Sequence, residues 1–132
     1  MSIIVGVGVL IKKDNKLLLG KRLSKHGKGT WSPPGGKLEE KESFEACAKR
    51  EVMEECGLTI GNIKFLTCTN NLFKEDGAHT ITLFMTADYV SGEPKVLEPD
   101  KLQDWQWFEN LPDPLFLPVK NLLKQGYTPF KS

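Results

Sequence analysis

The sequence predicts an α+β fold in which helices pack on a mixed β-sheet. Segments rich in β-branched and aromatic residues recur along most of the chain, and such segments favour strands. Two helix-forming segments stand far apart, without the regular alternation of strand and helix that an all-parallel sheet requires. The 132 residues, 39% hydrophobic and 27% charged, suit one globular domain covering residues 1–132.

The first two strands are predicted to form a hairpin. From Ile3 to Ile11, apolar β-branched residues occupy the odd positions and alternate with Gly6 and Gly8. A face made of glycine either lets another group approach closely or accommodates a neighbouring side chain within the sheet. Asp14-Asn15 then turns the chain into the apolar stretch Leu17–Leu19.

A loop followed by a helix is predicted next. The segment Ser24–Gly36 contains too many glycines and prolines for regular structure, so we expect a loop there. The segment Ser43–Cys56 has good helix formers and no internal glycine or proline. Ser43 suits the N-cap, and Gly57 stands where the helix should end.

Three further strands and a second helix complete the predicted order. The strands are expected at Ile63–Thr69, His79–Val90 and Trp105–Phe108, which are rich in β-branched or aromatic residues. After a proline-broken stretch that ends at Pro114, a helix is expected to run as far as Lys124-Gln125.

The charges and the cysteines exclude several classes of function. With 18 basic and 17 acidic residues, the net charge of +1 predicts no binding of a nucleic acid duplex or an anionic membrane. Cys47, Cys56 and Cys68 show no disulfide or zinc-site spacing. No apolar run approaches the length of about 18 residues that a membrane span needs, and no signal peptide is evident. We therefore expect a cytoplasmic protein.

The helix predicted at Ser43–Cys56 carries carboxylates on its apolar side. At about 100° per residue, Glu51 and Glu55 fall inside the apolar stripe, and Glu54 flanks it. Burying an unpaired carboxylate costs several kcal/mol, so these groups need a cation. Three carboxylates favour a hard divalent ion, with Mg²⁺ preferred and Mn²⁺ able to substitute. The alternative is a solvated surface on which the glutamates pair with lysines.

The residues around this helix resemble the Nudix box. From Gly36 the chain reads GKLEEKESFEACAKREVMEECGL, which fits the pattern G-x5-E-x7-R-E-U-x-E-E-x-G-U, where U is bulky and aliphatic. The matching residues are Gly36, Glu42, Arg50, Glu51, Val52, Glu54, Glu55, Gly57 and Leu58. The stretches VGVGV, LLLGKR, LTCTNNLFKE, EPDKLQDWQWFENLP and LKQGYTPFK extend the resemblance to the MutT-like nucleoside triphosphate diphosphatases, in particular the small plant and animal cytosolic members.

This resemblance implies the Nudix fold, a mixed sheet sandwiched between helices (α/β/α) with the box as a loop-helix-loop. It implies a Mg²⁺-dependent pyrophosphohydrolase that cleaves (deoxy)nucleoside triphosphates to monophosphate and pyrophosphate, with oxidised ones such as 8-oxo-dGTP among the candidates. ADP-ribose, a dinucleotide and dihydroneopterin triphosphate are alternative substrates, and a catalytically silent nucleotide sensor is the alternative without catalysis. The expected partner is a small nucleotide, and a homodimer is the commonest oligomer.

The resemblance also assigns roles to residues. It gives the metal ligands as Glu51, Glu54, Glu55 and the carbonyl of Gly35. The general base is either Glu54 or Glu98, a glutamate of the later segment GEPKVLE. Glu42 and Arg50 complete the catalytic set, either beside the metal or as a structural ion pair.

The substrate pocket is expected to be a flat apolar slot with a few hydrogen-bonding groups. Its candidate residues are Arg22, Ser32, Gly36, Thr82, Phe116 and Leu117. Arg22 ends the second predicted strand and can contact phosphate with two donors at once. The three tryptophans are expected in the core rather than in the slot. His26 and His79 have no companion nucleophile or ligand spacing, so a catalytic triad is not predicted. His79 either contacts the nucleobase or is structural, and the structural role is the more usual one.

Overall fold

The computed structural model describes residues 2–130 of the chain. The strands are β1 (Ile4–Lys13), β2 (Lys16–Arg22), β3 (Trp31–Ser32), β4 (Gly35–Lys37), β5 (Thr59–Leu72), β6 (His79–Ser91) and β7 (Leu102–Phe108). The helices are α1 (Phe44–Cys56) and α2 (Leu117–Lys124). Both ends of the predicted domain, and Lys131 at the end of the LKQGYTPFK stretch, lie outside the described residues.

The strands form one mixed sheet, as predicted. The order is β3-β2-β1-β6-β5, with β4 paired to β1 and β7 paired to β2. β1 and β6 run parallel, whereas the other pairs of strands are antiparallel. The β1–β2 hairpin turns at Asp14 and Asn15, which both have positive φ angles, as the predicted two-residue turn requires.

The two helices cover opposite faces of the sheet. Successive residues of β1 point to opposite sides, so Val7 and Val9 join one buried cluster and Leu10 joins the other. The first cluster contains residues of α1, namely Cys47, Ala48, Val52 and Cys56. The second contains Val119 and Leu122 of α2. The predicted layering of a sheet between helices is therefore confirmed.

Helix α1 begins and ends where the sequence predicts. The Oγ of Ser43 accepts a hydrogen bond from the Ala46 N–H at 3.1 Å, and Gly57 adopts a left-handed conformation with φ 73°. Glu55 faces inward and is only 7% exposed, as the helical projection predicts. Among residues 2–130, neither helix is long and apolar enough to cross a membrane.

The predicted loop Ser24–Gly36 is wrong in part, because it contains β3 and the start of β4. Gly35 and Gly36 lack side chains, so their backbone can pair directly with β1. A Cβ on Gly35 would lie 2.0 Å from the carbonyl oxygen of Val7. The glycines that suggested irregular structure are thus the residues that permit this close strand pairing.

Strands β5 and β7 are longer than predicted. β5 begins at Thr59 rather than Ile63, and its pairing with β6 shifts register between Gly61 and Lys64. Gly61 and Asn62, which are rare in strands, precede Ile63, so the composition on which the prediction depended begins only at Ile63. β7 begins at Leu102 rather than Trp105, because Leu102 pairs with Arg22 after a similar shift in β2.

A buried threonine of β5 allows a stability prediction. Thr69 is 2% exposed, and its hydroxyl has no hydrogen-bond partner among the described residues. Thr69→Val should therefore raise the unfolding free energy by about 1 kcal/mol, measured by urea denaturation. Thr67 donates its hydroxyl to Oε1 of Gln125 at 3.0 Å, so the control Thr67→Val should lower it. A lower unfolding free energy in Thr69→Val would contradict the conclusion that the Thr69 hydroxyl is buried without a hydrogen-bond partner.

Candidate active site

A cavity of about 710 Å³ lies where α1, β4 and the first turn of α2 meet the sheet. Gly6 and Gly8 of β1 form part of its wall. A Cβ on Gly6 would lie 3.2 Å from the carbonyl oxygen of Gly36, and one on Gly8 would lie 3.1 Å from the ring of Phe84. The glycine face of β1 therefore serves both expected purposes, since it admits a neighbouring backbone and a neighbouring side chain.

Glu55 is the most buried carboxylate of this cavity. The Gly35 N–H donates a hydrogen bond to its Oε1 at 2.6 Å. Burial raises the pKa of Glu55 to about 8, and the charges of Glu51 and Glu98 act in the same direction. The Gly35 N–H and the charge of Arg22 favour the ionised form, but burial outweighs them.

Arg50 holds the carboxylates of the neighbouring residues in place. Its Nε and Nη2 donate to the two carboxylate oxygens of Glu42 at 2.7 and 2.9 Å. Its Nη1 donates to Glu51 at 2.6 Å and lies 3.3 Å from Glu54. The contact between Arg50 and Glu42 lowers the pKa of Glu42 to about 2 and raises the pKa of Arg50. Arg50 lines the cavity and Glu42 does not. Of the two expected roles of this pair, beside the metal or as a structural ion pair, the geometry favours the structural ion pair.

Glu51 explains the glycine that opens the Nudix-like motif. A Cβ on Gly36 would lie 1.6 Å from Oε2 of Glu51, so any larger residue would displace that carboxylate. Burial raises the pKa of Glu51 to about 6, although Arg50 opposes the shift. The absence of a side chain at Gly36 is therefore what lets a carboxylate lie against β4.

The acidic groups suit a hard divalent cation. Four carboxylates, those of Glu39, Glu42, Glu51 and Glu54, contact the single guanidinium of Arg50. Within residues 2–130, no three His, Cys, Asp or Glu side chains are grouped closely enough to form a metal site. Arg50 draws Glu51 and Glu54 towards itself, whereas Glu55 bonds the backbone. The donors nonetheless fit such an ion, because carboxylate and carbonyl oxygens are its preferred ligands.

Arg22 places a positive charge in the same cavity. Its Nε donates to the carbonyl of His26 at 2.8 Å, and its guanidinium lies 4.0 Å from the ring centroid of Phe116. Burial lowers the pKa of Arg22, while Glu55 acts on it in the opposite direction. No carboxylate forms an ion pair with Arg22 in the part of the chain that is described. A partly buried cation without a contacting anion suits a phosphate ligand.

Aromatic rings line another side of the cavity. The ring of Phe73 lies 5.7 Å from those of both His26 and Phe116. The Ala78 N–H donates to the Asp76 carboxylate and lowers its pKa, and the His26 Nδ1, which contacts the same carboxylate, adds to this shift. Neither Phe73 nor His26 was predicted as a pocket residue from the sequence. Phe73 directly follows β5 and continues the buried alternation of Thr69 and Asn71.

The remaining predicted pocket residues divide into two groups. Ser32, Thr82 and Phe116 line the cavity together with Arg22 and Gly36. Leu117 does not line it, and Pro118 does so instead, because α2 begins there and turns Leu117 away. His79 bonds Asn70 outside the cavity. Each of the three tryptophans packs with a buried cluster, as expected; they are Trp31, Trp105 and Trp107.

The two candidate general bases occupy different positions. Glu54 lines the cavity, and its side chain is 51% exposed. Glu98 does not line it and lies 3.5 Å from the Nζ of Lys101. Glu98 is nevertheless near enough to raise the pKa of Glu55 through its charge. The geometry therefore favours Glu54 for contact with a ligand in the cavity.

Comparison with known proteins identifies the family. The model of the NUDIX domain matches residues 3–111. The chain belongs to the Nudix family. A MutT NUDIX hydrolase from Burkholderia pseudomallei has a crystal structure with a TM-score of 0.86 and 32% identity, covering 96% of this chain and 100% of that one. The expected Nudix fold is confirmed, and Nudix hydrolases generally use divalent metal ions.

Relatives of this Nudix chain carry several different activities in their names. The NAD-capped RNA hydrolase NudC of Vibrio atlanticus is 33% identical over 89% of this chain and 41% of its own length. The oxidized purine nucleoside triphosphate hydrolase of Danio rerio is 36% identical, over 76% of this chain and 63% of its own length. The ADP-ribose pyrophosphatase of Methanocaldococcus jannaschii is 33% identical, over 82% and 64% respectively. The chain thus spans less than two thirds of each of these relatives.

The burial of Glu55 predicts a pH dependence of stability without metal. The folded chain raises the pKa of Glu55 from about 4.5 to about 8, so the folded state binds this proton more tightly. This contribution to the unfolding free energy is fully present below about pH 4.5 and is lost as the pH rises through about 8. Relative to Glu55→Gln, the wild type in EDTA should lose up to about 1.4 kcal/mol per pH unit across this window.

The comparison between the two proteins isolates this carboxyl. Every ionisable side chain other than Glu55 is present in both proteins, so the difference between the two curves reports Glu55 together with its coupling to neighbouring charges. Urea denaturation at a series of pH values measures it. Parallel curves for the wild type and Glu55→Gln would contradict the burial of an uncompensated carboxyl at this position.

Proposed function

We propose that this Nudix chain is a Mg²⁺-dependent pyrophosphohydrolase that converts (deoxy)nucleoside triphosphates to monophosphate and pyrophosphate. One observation carries the proposal, namely that a buried carboxylate and a partly buried guanidinium face the same cavity. Glu55 and Arg22 both lie there, and neither forms an ion pair within residues 2–130. A polyphosphate bound together with a cation supplies both missing charges.

The proposed metal ligands are Glu51, Glu54, Glu55 and the carbonyl of Gly35. When bound, a divalent ion would neutralise phosphate charge and lower the pKa of a coordinated water. Mg²⁺ suits these oxygen donors because it retains several waters and bridges to phosphates, and Mn²⁺ can replace it. Arg50 acts through other groups, since it fixes Glu42 and Glu51 and keeps their carboxylates oriented.

The protein groups have separate tasks in the proposed reaction. Arg22 binds and orients the phosphates, and its stacking on Phe116 fixes the plane of the guanidinium. A water attacks one phosphorus of the α–β bridge, and the bond from phosphorus to the bridging oxygen breaks. Glu54 accepts the proton of that water through a carboxylate oxygen that does not hold the ion, because it is the most exposed of the three α1 carboxylates in the cavity wall.

The nucleobase of the substrate binds at the aromatic side of the cavity in this proposal. Phe73, Phe116 and His26 offer ring faces for stacking, and Thr82 and Ser32 offer hydroxyl groups. A cavity of about 710 Å³ is within the range of sites for one small ligand, such as a single nucleotide.

ADP-ribose hydrolysis is the second candidate function. A relative named ADP-ribose pyrophosphatase is 33% identical over 82% of this chain, which favours it. The same cavity charges suit a diphosphate. A substrate panel that includes ADP-ribose and dihydroneopterin triphosphate distinguishes these activities, and binding without product release would indicate the sensor.

The proposed setting is the cytoplasm. The three cysteines are free thiols, and two of them are buried, which suits a reducing compartment. A homodimer remains the expected oligomer on general grounds, and gel filtration coupled to light scattering would measure it.

Glu55→Gln tests the proposed function. The variant keeps the shape of the side chain but removes its charge, so Mg²⁺-dependent pyrophosphate release should fall by about 100-fold or more. Glu45→Gln is the matched control, because Glu45 lies in the same helix, is exposed and does not line the cavity. Chromatography of the products from a panel of nucleotides measures both. Unchanged release in Glu55→Gln would overturn the metal assignment.

Arg22→Ala tests the phosphate contact. Removing a charge-assisted contact should lower kcat/KM for a triphosphate by about 10- to 100-fold. Lys21→Ala is the control, since Lys21 is the adjacent residue of β2 and does not line the cavity. An equal loss in both variants would show that Arg22 acts through general charge rather than through a specific contact.

A further inference from the structure

We propose that Asn71 makes the hydroxyl groups of one cavity wall hydrogen-bond donors towards the ligand. This wall then selects nucleobases with a carbonyl over nucleobases with an amino group. The wall consists of Thr80 and Thr82 on β6. This inference rests on the proposed function and specifies its substrate class. Asn71 itself is 0% exposed and acts only through the two threonines, so it is a positioning residue.

The amide of Asn71 is held in one orientation. Its Nδ2 donates to Oγ1 of Thr80 and to Oγ1 of Thr82, both at 3.0 Å. The same Nδ2 lies 3.4 Å from the carbonyl oxygen of Thr69, which can only accept. Its Oδ1 accepts from Nδ2 of Asn121 at 2.9 Å. A flipped amide would place its oxygen against the Thr69 carbonyl and its NH₂ against another donor.

The orientation of Asn121 is fixed independently. Its Nδ2 also donates to the backbone carbonyl of Asn70 at 3.3 Å, so the nitrogen must point towards β5. Asn121 belongs to α2, whose packing on β5 therefore sets which end of the Asn71 amide faces the threonines. The backbone carbonyls of Thr69 and Asn70 thus determine that the Asn71 NH₂ group, and not its oxygen, faces the two threonines.

The threonine hydroxyls are left with protons to donate. A hydroxyl has one proton and two lone pairs, and here one lone pair of each oxygen accepts from Asn71. Their protons cannot go to the Asn71 Nδ2, and no acceptor for them lies among the described residues. A ligand acceptor completes both groups, whereas a ligand that offers only a donor leaves a hydroxyl proton unpaired.

The position of the wall suits a base rather than a phosphate. In the sheet, Gly6 of β1 lies between Thr82 of β6 and Lys37 of β4. Neighbouring strands are about 4.8 Å apart, so β6 and β4 are separated by roughly 10 Å. Glu51 lies against Gly36 on the β4 side. A nucleotide with its phosphates near these carboxylates therefore reaches the threonines with its base.

Matched pairs of nucleotides test the selectivity. dITP and dATP differ at C6, and dUTP and dCTP differ at C4, where each pair exchanges a carbonyl for an amino group. The adjacent ring nitrogen changes with it, from an N–H donor in dITP and dUTP to an acceptor in dATP and dCTP. We expect kcat/KM to be about tenfold higher for the carbonyl member of each pair, because one hydrogen-bonded proton is at stake. Equal values, or a preference for the amino member in both pairs, would overturn the inference.

Variants separate this role from a purely structural one. Thr82→Val removes a proton donor, so the ratio within each pair should fall to within about twofold of unity, and Thr82→Ser should restore it. Asn71→Leu should also reduce the ratio, because the hydroxyls then turn freely. A merely structural effect would lower all four activities equally and leave the ratios unchanged, which would overturn the inference.

A matched control is available on the neighbouring strand. Thr69 is paired with Thr82 across β5 and β6, is buried and does not line the cavity. Thr69→Val should therefore leave both ratios at the wild-type value. A change as large as that in Thr82→Val would show that any altered threonine disturbs the site, and would overturn the inference.

The outcome can be separated from a failure of the proposed function. If the wild type hydrolyses none of the four nucleotides, the proposed activity fails, and calorimetry with their α,β-methylene analogues replaces kinetics. Tighter binding of the carbonyl analogues, lost in Thr82→Val, supports the inference. Equal binding, or no binding, overturns it.

Discussion

A carboxylate buried without a contacting cation is the constraint on which the rest of this structure depends. Glu55 lies in the wall of the cavity at 7% exposure, and burial raises its pKa to about 8. A group of this kind lowers stability unless something else binds to it. The Gly35 N–H donates to this carboxylate, and the missing side chain of Gly36 lets the second carboxylate, that of Glu51, lie against β4.

Arg50 makes such a concentration of negative charge tolerable. Its guanidinium binds Glu42 with two hydrogen bonds and also contacts Glu51 and Glu54. An arginine is suited to this task because its planar fork matches carboxylate geometry and remains charged. Arg50 and the metal ion compete for the same groups, because Glu51 and Glu54, which Arg50 contacts, are also proposed ligands of the ion. Glu55, which Arg50 does not touch, remains the natural first ligand.

Much of this half of the site could be predicted from the sequence, because its residues are local. Glu51 and Glu55 are one helical turn apart, so their spacing alone places them on one face of α1. The opposite wall could not be predicted in the same way. Phe73 lines the cavity, and Asn71 contacts the cavity threonine Thr82, only because β5 pairs with β6, and a pairing between distant segments leaves no periodic pattern in the local sequence. The error at Leu117 has a related cause, since the first residues of a helix have no periodic pattern to follow.

The central claim is that the carboxylates of α1 hold a divalent ion against a polyphosphate. Anomalous diffraction from crystals soaked with Mn²⁺ and a non-hydrolysable nucleoside triphosphate tests it most directly. We expect a peak roughly 2.1 Å from an oxygen of Glu55, with Glu51 or Glu54 and a phosphate oxygen as further ligands. Manganese bound only to carboxylates outside the cavity, with the nucleotide in place, would contradict the account.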